Sequence, residues 1–460
     1  MNRYQKYCTS FALAAVLFMT TLPSAQAEEP NPAALTLADS INLAIENNPA
    51  MKLAQSTQEK AAWSIKQAKA YNGVTLGYDY TLARTDTPPS WYNNTTAGYP
   101  LPSSLATYLG SLVGKSISYP GWDTVYNAYQ HQLKLTLPVY TGGKIENSIA
   151  MAKHGEAAAG LGVDSTRQQL ALEVTSSYFT VLQARNLANV AQQAVDDLSA
   201  HLVNVQNHYD AGTVSLSDVL QTQVRLANAR NNLIKAQNGF KLARYKLNKV
   251  IGISLHNEAT LADTFDYKPF TLTVDDSIST ALKSRPEVSQ VNLKVAMASD
   301  KVKIAGSGKL PTVALVGTET WADTNPSTSK GKDSWLVGVN VQFNVFDNGL
   351  TKTEVKQAEH EVEEAKEQAR LLTDKITLEV CQSYLSVKEA AERITNNQVA
   401  VHQSETDYQL AQERYEAGVG TNLDVIDAEL AMIQAKTNYI QALYDYNNSR
   451  AQLDKAMGTI

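Results

Sequence analysis

The stretch HYDAGTVSLSDVL, His208 to Leu220, recurs as RYEAGVGTNLDVI, Arg414 to Ile426, at an offset of 206 residues. The offset persists well beyond the motif. Leu172-Glu173-Val174 with Ser177-Tyr178 matches Leu378-Glu379-Val380 with Ser383-Tyr384, and Val139 to Gly143 matches Val345 to Gly349. Leu247, Lys249 and Gly252 match Leu453, Lys455 and Gly458. A register held this long marks a tandem duplication. Upstream, Ile41, Ala44 and Pro49 match Ile278, Ala281 and Pro286 at an offset of 237. The first copy therefore carries about 31 extra residues, the difference of the two offsets, between Leu82 and His131. That segment is rich in Pro, Gly, Ser, Asn and Tyr and reads as a loop over 83–131.

Each copy reads as helix, strand, loop, strand, very long helix, tight turn, helix. Val74, Leu76, Tyr78, Tyr80 and Leu82 alternate on one strand face, and Leu133, Leu135, Leu137 and Val139 on another. In the second copy Val337, Val339, Val341, Phe343 and Val345 alternate with polar or small residues, whereas Thr312 to Thr320 alternates less cleanly. Strands of about ten residues suit a transmembrane barrel. Ten of the 22 tyrosines lie between Tyr71 and Tyr140, and Trp91, Trp122, Trp321 and Trp335 fall in strand or loop regions, as aromatic interface girdles require.

From Lys144 to Tyr209 there is no proline, and from Leu350 to Ala417 neither proline nor glycine. Each run predicts a helix of roughly 100 Å at 1.5 Å per residue. Helices of that length need neighbours along their whole extent. Four strands in one chain cannot close a barrel, and open edges in lipid leave backbone groups unbonded, so several chains must share one barrel.

Composition narrows the function. A hydrophobic fraction of 43% and a charged fraction of 19% exclude a disordered chain and a helical membrane protein. A formal charge of −6 disfavours a nucleic-acid partner. Arg3 and Lys6, the apolar run Phe11 to Leu22, and Ala25-Gln26-Ala27 predict a signal peptide over 1–27. Its removal leaves 38 basic against 46 acidic residues, a formal charge of −8. Cys8 lies in that signal and away from the cleavage point, so no lipid anchor is expected, and Cys381 alone forms no intrachain disulfide. The seven histidines show no metal spacing, and no nucleophile-elbow, phosphate-loop or dinucleotide motif occurs. No metal, cofactor or enzymatic activity is expected. His154 and His360, at equivalent repeat positions, read as surface residues.

The duplicated Tyr-x-Ala-Gly-(x)5-Asp-Val motif, the Leu310-Pro311-Thr312-Val313 approach to a strand and the Phe346-Asp347-Asn348-Gly349 exit into a helix resemble TolC-type outer-membrane efflux proteins over Leu35 to Ile460. The resemblance implies an α+β membrane protein, a tandem-repeat protomer of a trimeric 12-stranded β-barrel carrying a long periplasmic α-helical barrel. It places structural repeats at 28–259 and 260–460. It also implies an outer-membrane channel of a tripartite efflux or type I secretion system, extending into the periplasm. Such a channel is a passive conduit that works with a periplasmic adaptor and an inner-membrane transporter. A pore-free periplasmic coiled-coil scaffold or adhesin is the alternative, although it leaves the paired strands unexplained.

By the same resemblance Asp424 and Asp427 match an acidic constriction, and Tyr415 would hydrogen-bond Asp218 in a closed state. Gly212, Thr213 and Val214, with Gly418, Val419 and Gly420, would flank the adaptor grooves. Some relatives carry arginine where Gly420 stands. The residues themselves also read structurally. Gly212 and Gly418 suit helix C-terminal caps with positive φ. Ser215-x-x-Asp218 and Thr421-x-x-Asp424 resemble capping boxes. Asp427, whose counterpart is Gln221, needs a different explanation.

Overall fold

The structure, a computed structural model, describes residues 35–85, 111, 126–258, 260–265, 267–323 and 332–460. The signal segment and most of the long loop lie outside these residues.

Chain order is α1 (Leu37–Asn47), α2 (Pro49–Ala70), β1 (Thr75–Thr85), β2 (Tyr126–Tyr140), α3 (Lys144–Asp210) and α4 (Leu216–Ile251). The second copy follows with α5 (Val274–Ser284), α6 (Pro286–Gly306), β3 (Thr312–Asp323), β4 (Lys332–Gln342), α7 (Leu350–Glu416) and α8 (Asn422–Met457). Helices α3 and α7 are each 67 residues long, and α4 and α8 are each 36. Their bounds differ by the offset read from the sequence. The single first helix expected in each copy is in fact two. Pro49 and Pro286 each start a new helix, because proline lacks the N–H that continuation would need but fits a first helical position.

The strands reach into the expected loop, β1 ending at Thr85 and β2 starting at Tyr126. β4 stops at Gln342 rather than Val345, since Gln342 pairs with Thr312, the first residue of β3, and no partner residue lies beyond it. The sheet is antiparallel in the order β1-β2-β3-β4. Its register sorts the side chains by face. Leu76, Leu135, Gly317 and Val337 form one transverse row, and Tyr78, Leu133, Glu319 and Trp335 the next. The opposite face carries rows such as Asp79, Gln132, Thr320 and Ser334. Leu76, Tyr78, Leu82, Trp335, Val337, Val339 and Val341 are exposed, so the apolar face covers no core.

The core lies among the helices. α3 packs on α2, α4, α6 and α8, and α7 on α6 and α8. In the second copy Ile376, Val380, Val387, Leu453 and Tyr446 form one cluster. In the first, Tyr178, Leu182, Leu247 and Ile251 form its counterpart. No described helix is long and apolar enough to cross a membrane.

At the α5–α6 junction Arg285 is buried. It donates to Glu379 of α7 (2.8 Å) and to Glu287 (3.2 Å), while Lys455 of α8 reaches Glu379 at 3.3 Å. The first-copy counterpart is Asn48, which donates to the Val250 carbonyl instead. Removing one member of a buried ion network leaves the others uncompensated, at a cost of about 3 kcal/mol where they keep some solvent access. Arg285→Met is therefore expected to lower the thermal midpoint of the helical circular-dichroism signal. Asn48→Ala, which loses two neutral bonds, to the Val250 carbonyl and from Ala50 N at the α2 cap, should lower it less.

Candidate functional site

The two tight turns lie together at one end of the long helices. Tyr408, Tyr415, Val425 and Met432 of the second hairpin pack there on Val205 and Val219 of the first. Each turn has the same backbone design. Thr213 N–H bonds the His208 carbonyl and Gly212 N–H the Tyr209 carbonyl, both at 2.9 Å. Val419 and Gly418 repeat the pattern on Arg414 and Tyr415, at 2.9 and 3.0 Å. Gly212 and Gly418 have φ of +73° and +69°, the left-handed conformation that glycine adopts freely. Gly420 is tightly placed for another reason. A Cβ there would sit 3.0 Å from the Tyr415 nitrogen and from the Arg414 Cβ, so any side chain would press on the turn. Val419 is largely exposed, and Val214 packs partly against the tip cluster.

Both capping boxes form. Asp218 accepts from Ser215 N (3.0 Å) and Oγ (2.8 Å), and Asp424 from Thr421 N (2.9 Å) and Oγ1 (2.7 Å). These bonds, helped by Arg414, hold the Asp424 carboxyl below the usual range. Asp424 and Asp427 are both exposed and line one groove of about 400 Å³ with Asp407 and Arg414. Asp427 caps nothing in the structure.

The expected Tyr415–Asp218 hydrogen bond is not made. The Tyr415 hydroxyl is buried with no partner, and its pKa is raised by burial and by the nearby Asp218. Asp218 is instead held in its own cap by Ser215. The Tyr415 ring lies edge-on between His201 and His208, with centroids 5.1 and 5.3 Å away.

Sequence reasoning missed a network beneath this ring. His201 Nε2 lies 2.8 Å from Asn422 Oδ1, Asn422 Nδ2 donates to the Asp218 carbonyl (3.2 Å), and Thr222 Oγ1 lies 3.2 Å from Asn422 Oδ1. His201 is 3% exposed, Asn422 4% and Thr222 0%. Burial lowers the His201 pKa. A signal was available in the repeat, because the counterparts of Asn422 and Thr222 are Leu216 and Ala428. Away from the tip, His360 is exposed, and His154, its side chain 37% exposed, bonds buried Asp300 at 3.0 Å where α6 packs along α3.

Further along α8, Glu429 is 3% exposed and lines a groove of about 330 Å³ between α3, α4 and α8. Burial, with the Asp197 charge adding, pushes its pKa up to about 8.

With this geometry established, comparison with known proteins is decisive. The outer membrane efflux protein family model matches residues 40–253 and 277–459. The chain belongs to that family. It is 22% identical to outer membrane protein TolC of Escherichia coli K12, over 73% of this chain and 70% of TolC. It is 24% identical to the alkaline protease secretion protein AprF of Pseudomonas aeruginosa, over 91% and 84% of the two chains. Among solved structures, the Campylobacter jejuni CmeC outer membrane channel superposes with a TM-score of 0.75 at 18% identity, covering 92% of this chain and 85% of that one. The protein is an outer-membrane efflux channel protein.

A carboxyl whose folded pKa is raised favours folding below its unfolded value of 4.5 and loses that contribution as pH rises through about 8. The thermal midpoint is therefore expected to fall between pH 5 and pH 8. Glu429→Gln should flatten that segment of the curve.

Proposed function

We propose that three copies of this chain assemble into one passive conduit, with twelve strands closing a barrel in the outer membrane and the long helices forming a tunnel through the periplasm. The sheet carries this reading. One face is apolar and exposed, the other polar, and among the described residues β1 and β4 each pair with a strand on one side only. Such an edge in hydrocarbon costs several kcal/mol per unbonded group, a penalty that closure with further copies removes. Eleven-residue strands tilted by about 45° span roughly 25 Å, the height of a lipid-facing band.

The tip then lies at the periplasmic end. In a trimer, Asp424 and Asp427 form two stacked acidic rings that narrow the entrance and favour cations. A periplasmic adaptor docks beside the turns Gly212-Thr213-Val214 and Gly418-Val419-Gly420, and an inner-membrane transporter supplies the energy. The exposed turn residues support that docking surface, and the shared groove supports a joint role for the two aspartates.

In planar bilayers the purified protein should form heat-modifiable trimers with discrete conductance. Replacing both Asp424 and Asp427 with alanine should raise single-channel conductance and abolish block by multivalent cations. Purification as a soluble periplasmic protein without conductance would overturn the reading.

A further inference from the structure

We propose that the groove between α3, α4 and α8 is a binding site for an organic monocation with an apolar body, and that the Glu429 carboxylate receives its charge. The groove walls all come from one chain, so the site stands apart from the trimer reading.

A carboxylate is seldom buried without a partner, because leaving water is costly unless a cation or several donors replace it. Other buried charges of this chain follow that rule. Arg285 engages Glu287 and Glu379, and Asp300 holds His154 and Lys303 at 3.0 and 2.9 Å. Glu429 departs from it. The residue is 3% exposed, lines the groove, and its Oε1 is buried with no hydrogen-bond partner. Asp197 of α3 buries Oδ2 in the same way. The Asp197 charge adds to burial in pushing the Glu429 pKa up to about 8, so the two carboxyls oppose each other's ionisation.

The neighbouring groups do not offset this. Lys436, whose charge acts on Asp197, pairs with Glu405 at 2.9 Å and reaches Gln193 at 3.3 Å. Arg225 of α4 acts on Glu429 through space, and among the described residues it makes no ion pair with it. Arg225 is exposed at the rim, where water and salt screen its charge. The Tyr408 hydroxyl of α7 accepts from Gln412 Nε2 at 2.7 Å, and both carboxylates oppose its ionisation. A cation entering the groove would supply what is missing.

The shape of the groove selects the kind of cation. Its volume of about 330 Å³ falls within the range of small-molecule sites. Along α3 it runs from Leu187 to Leu198, roughly 16 Å at the helical rise. Helix α3 runs toward the tip and α8 away from it, so Glu429 stands near the Leu198 end. Val190, Ala236 and Ile433 line the apolar remainder. A ligand matching this layout carries its charge at one end of an apolar body. A hard metal ion matches it poorly, since such ions take about six or more oxygens. No group of three His, Cys, Asp or Glu side chains able to hold a metal occurs among the described residues. An anion would meet two carboxylates. The scaffold itself does not demand them, because their first- and second-copy counterparts, Gln223 for Glu429 and Gln403 for Asp197, are both exposed.

The test titrates benzyltrimethylammonium, a permanent cation with an aromatic body, into the purified protein in lipid nanodiscs. The pH is set at about 8, where the Glu429 carboxyl is half ionised. Asp424 and Asp427 are both replaced by alanine throughout, so the acidic residues of the tip take no part. Calorimetry and saturation-transfer NMR should show one saturable site per chain. Glu429→Gln should weaken binding about tenfold or more, as loss of a charge-assisted contact requires. Ala236→Trp, which fills the groove and leaves the carboxylate, should abolish it. Benzylsulfonate, the same ring with the opposite charge, should not bind. Absence of binding, equal binding by Glu429→Gln or by benzylsulfonate, or binding that survives Ala236→Trp overturns the proposal. Should Glu429→Gln fail to assemble, Ala236→Trp and the pair of oppositely charged ligands decide it.

Discussion

A backbone amide in hydrocarbon has no water to bond, and the architecture of this chain follows from that constraint. Among the described residues the sheet has an exposed apolar face and two outer strands, β1 and β4, each paired with a strand on one side only. Neither feature suits a protein that stays alone in water, where exposed apolar faces and free edges invite aggregation. Both suit one third of the wall of a twelve-stranded barrel. The proposed trimer resolves them together, since closure bonds the edges and lipid covers the face.

The helices answer a second constraint set by length. At 67 residues, α3 and α7 are far too long to bury a face against one compact core. They are stabilised instead by a series of separate clusters along their length, formed with the shorter helices packed beside them. The ion network Arg285–Glu379–Lys455 ties the shorter helices of the second copy across its long one, at the α5–α6 junction. Each copy supplies the same scaffold, so departures from equivalence stand out. Asp427 faces Gln221, Arg285 faces Asn48, and Asn422 faces Leu216 in the repeat. All three departures place a charged or buried polar group in the second copy alone, and two of them lie in the first two turns of α8.

The sequence determined the tandem repeat, the order of strands and long helices, and both glycine-capped turns. These depend on local rules. Alternation sets a strand face, freedom from proline permits a long helix, and positive φ selects glycine. It also indicated the capping boxes at Ser215 and Thr421, because a cap is decided within four residues. The strand ends were less legible. Val345 continues the alternation of β4, yet pairing stops at Gln342 because β3 has no residue left to offer. The tip chemistry was decided by tertiary structure. Tyr415 and Asp218 carry the residue types for a hydrogen bond, but Ser215 captures the aspartate and His201 walls in the ring. His201, Thr222 and Asn422 lie up to 221 residues apart, and no periodicity brings them together. Only the packing of one hairpin on the other buries them, and burial is what turns three ordinary polar side chains into an obligatory network.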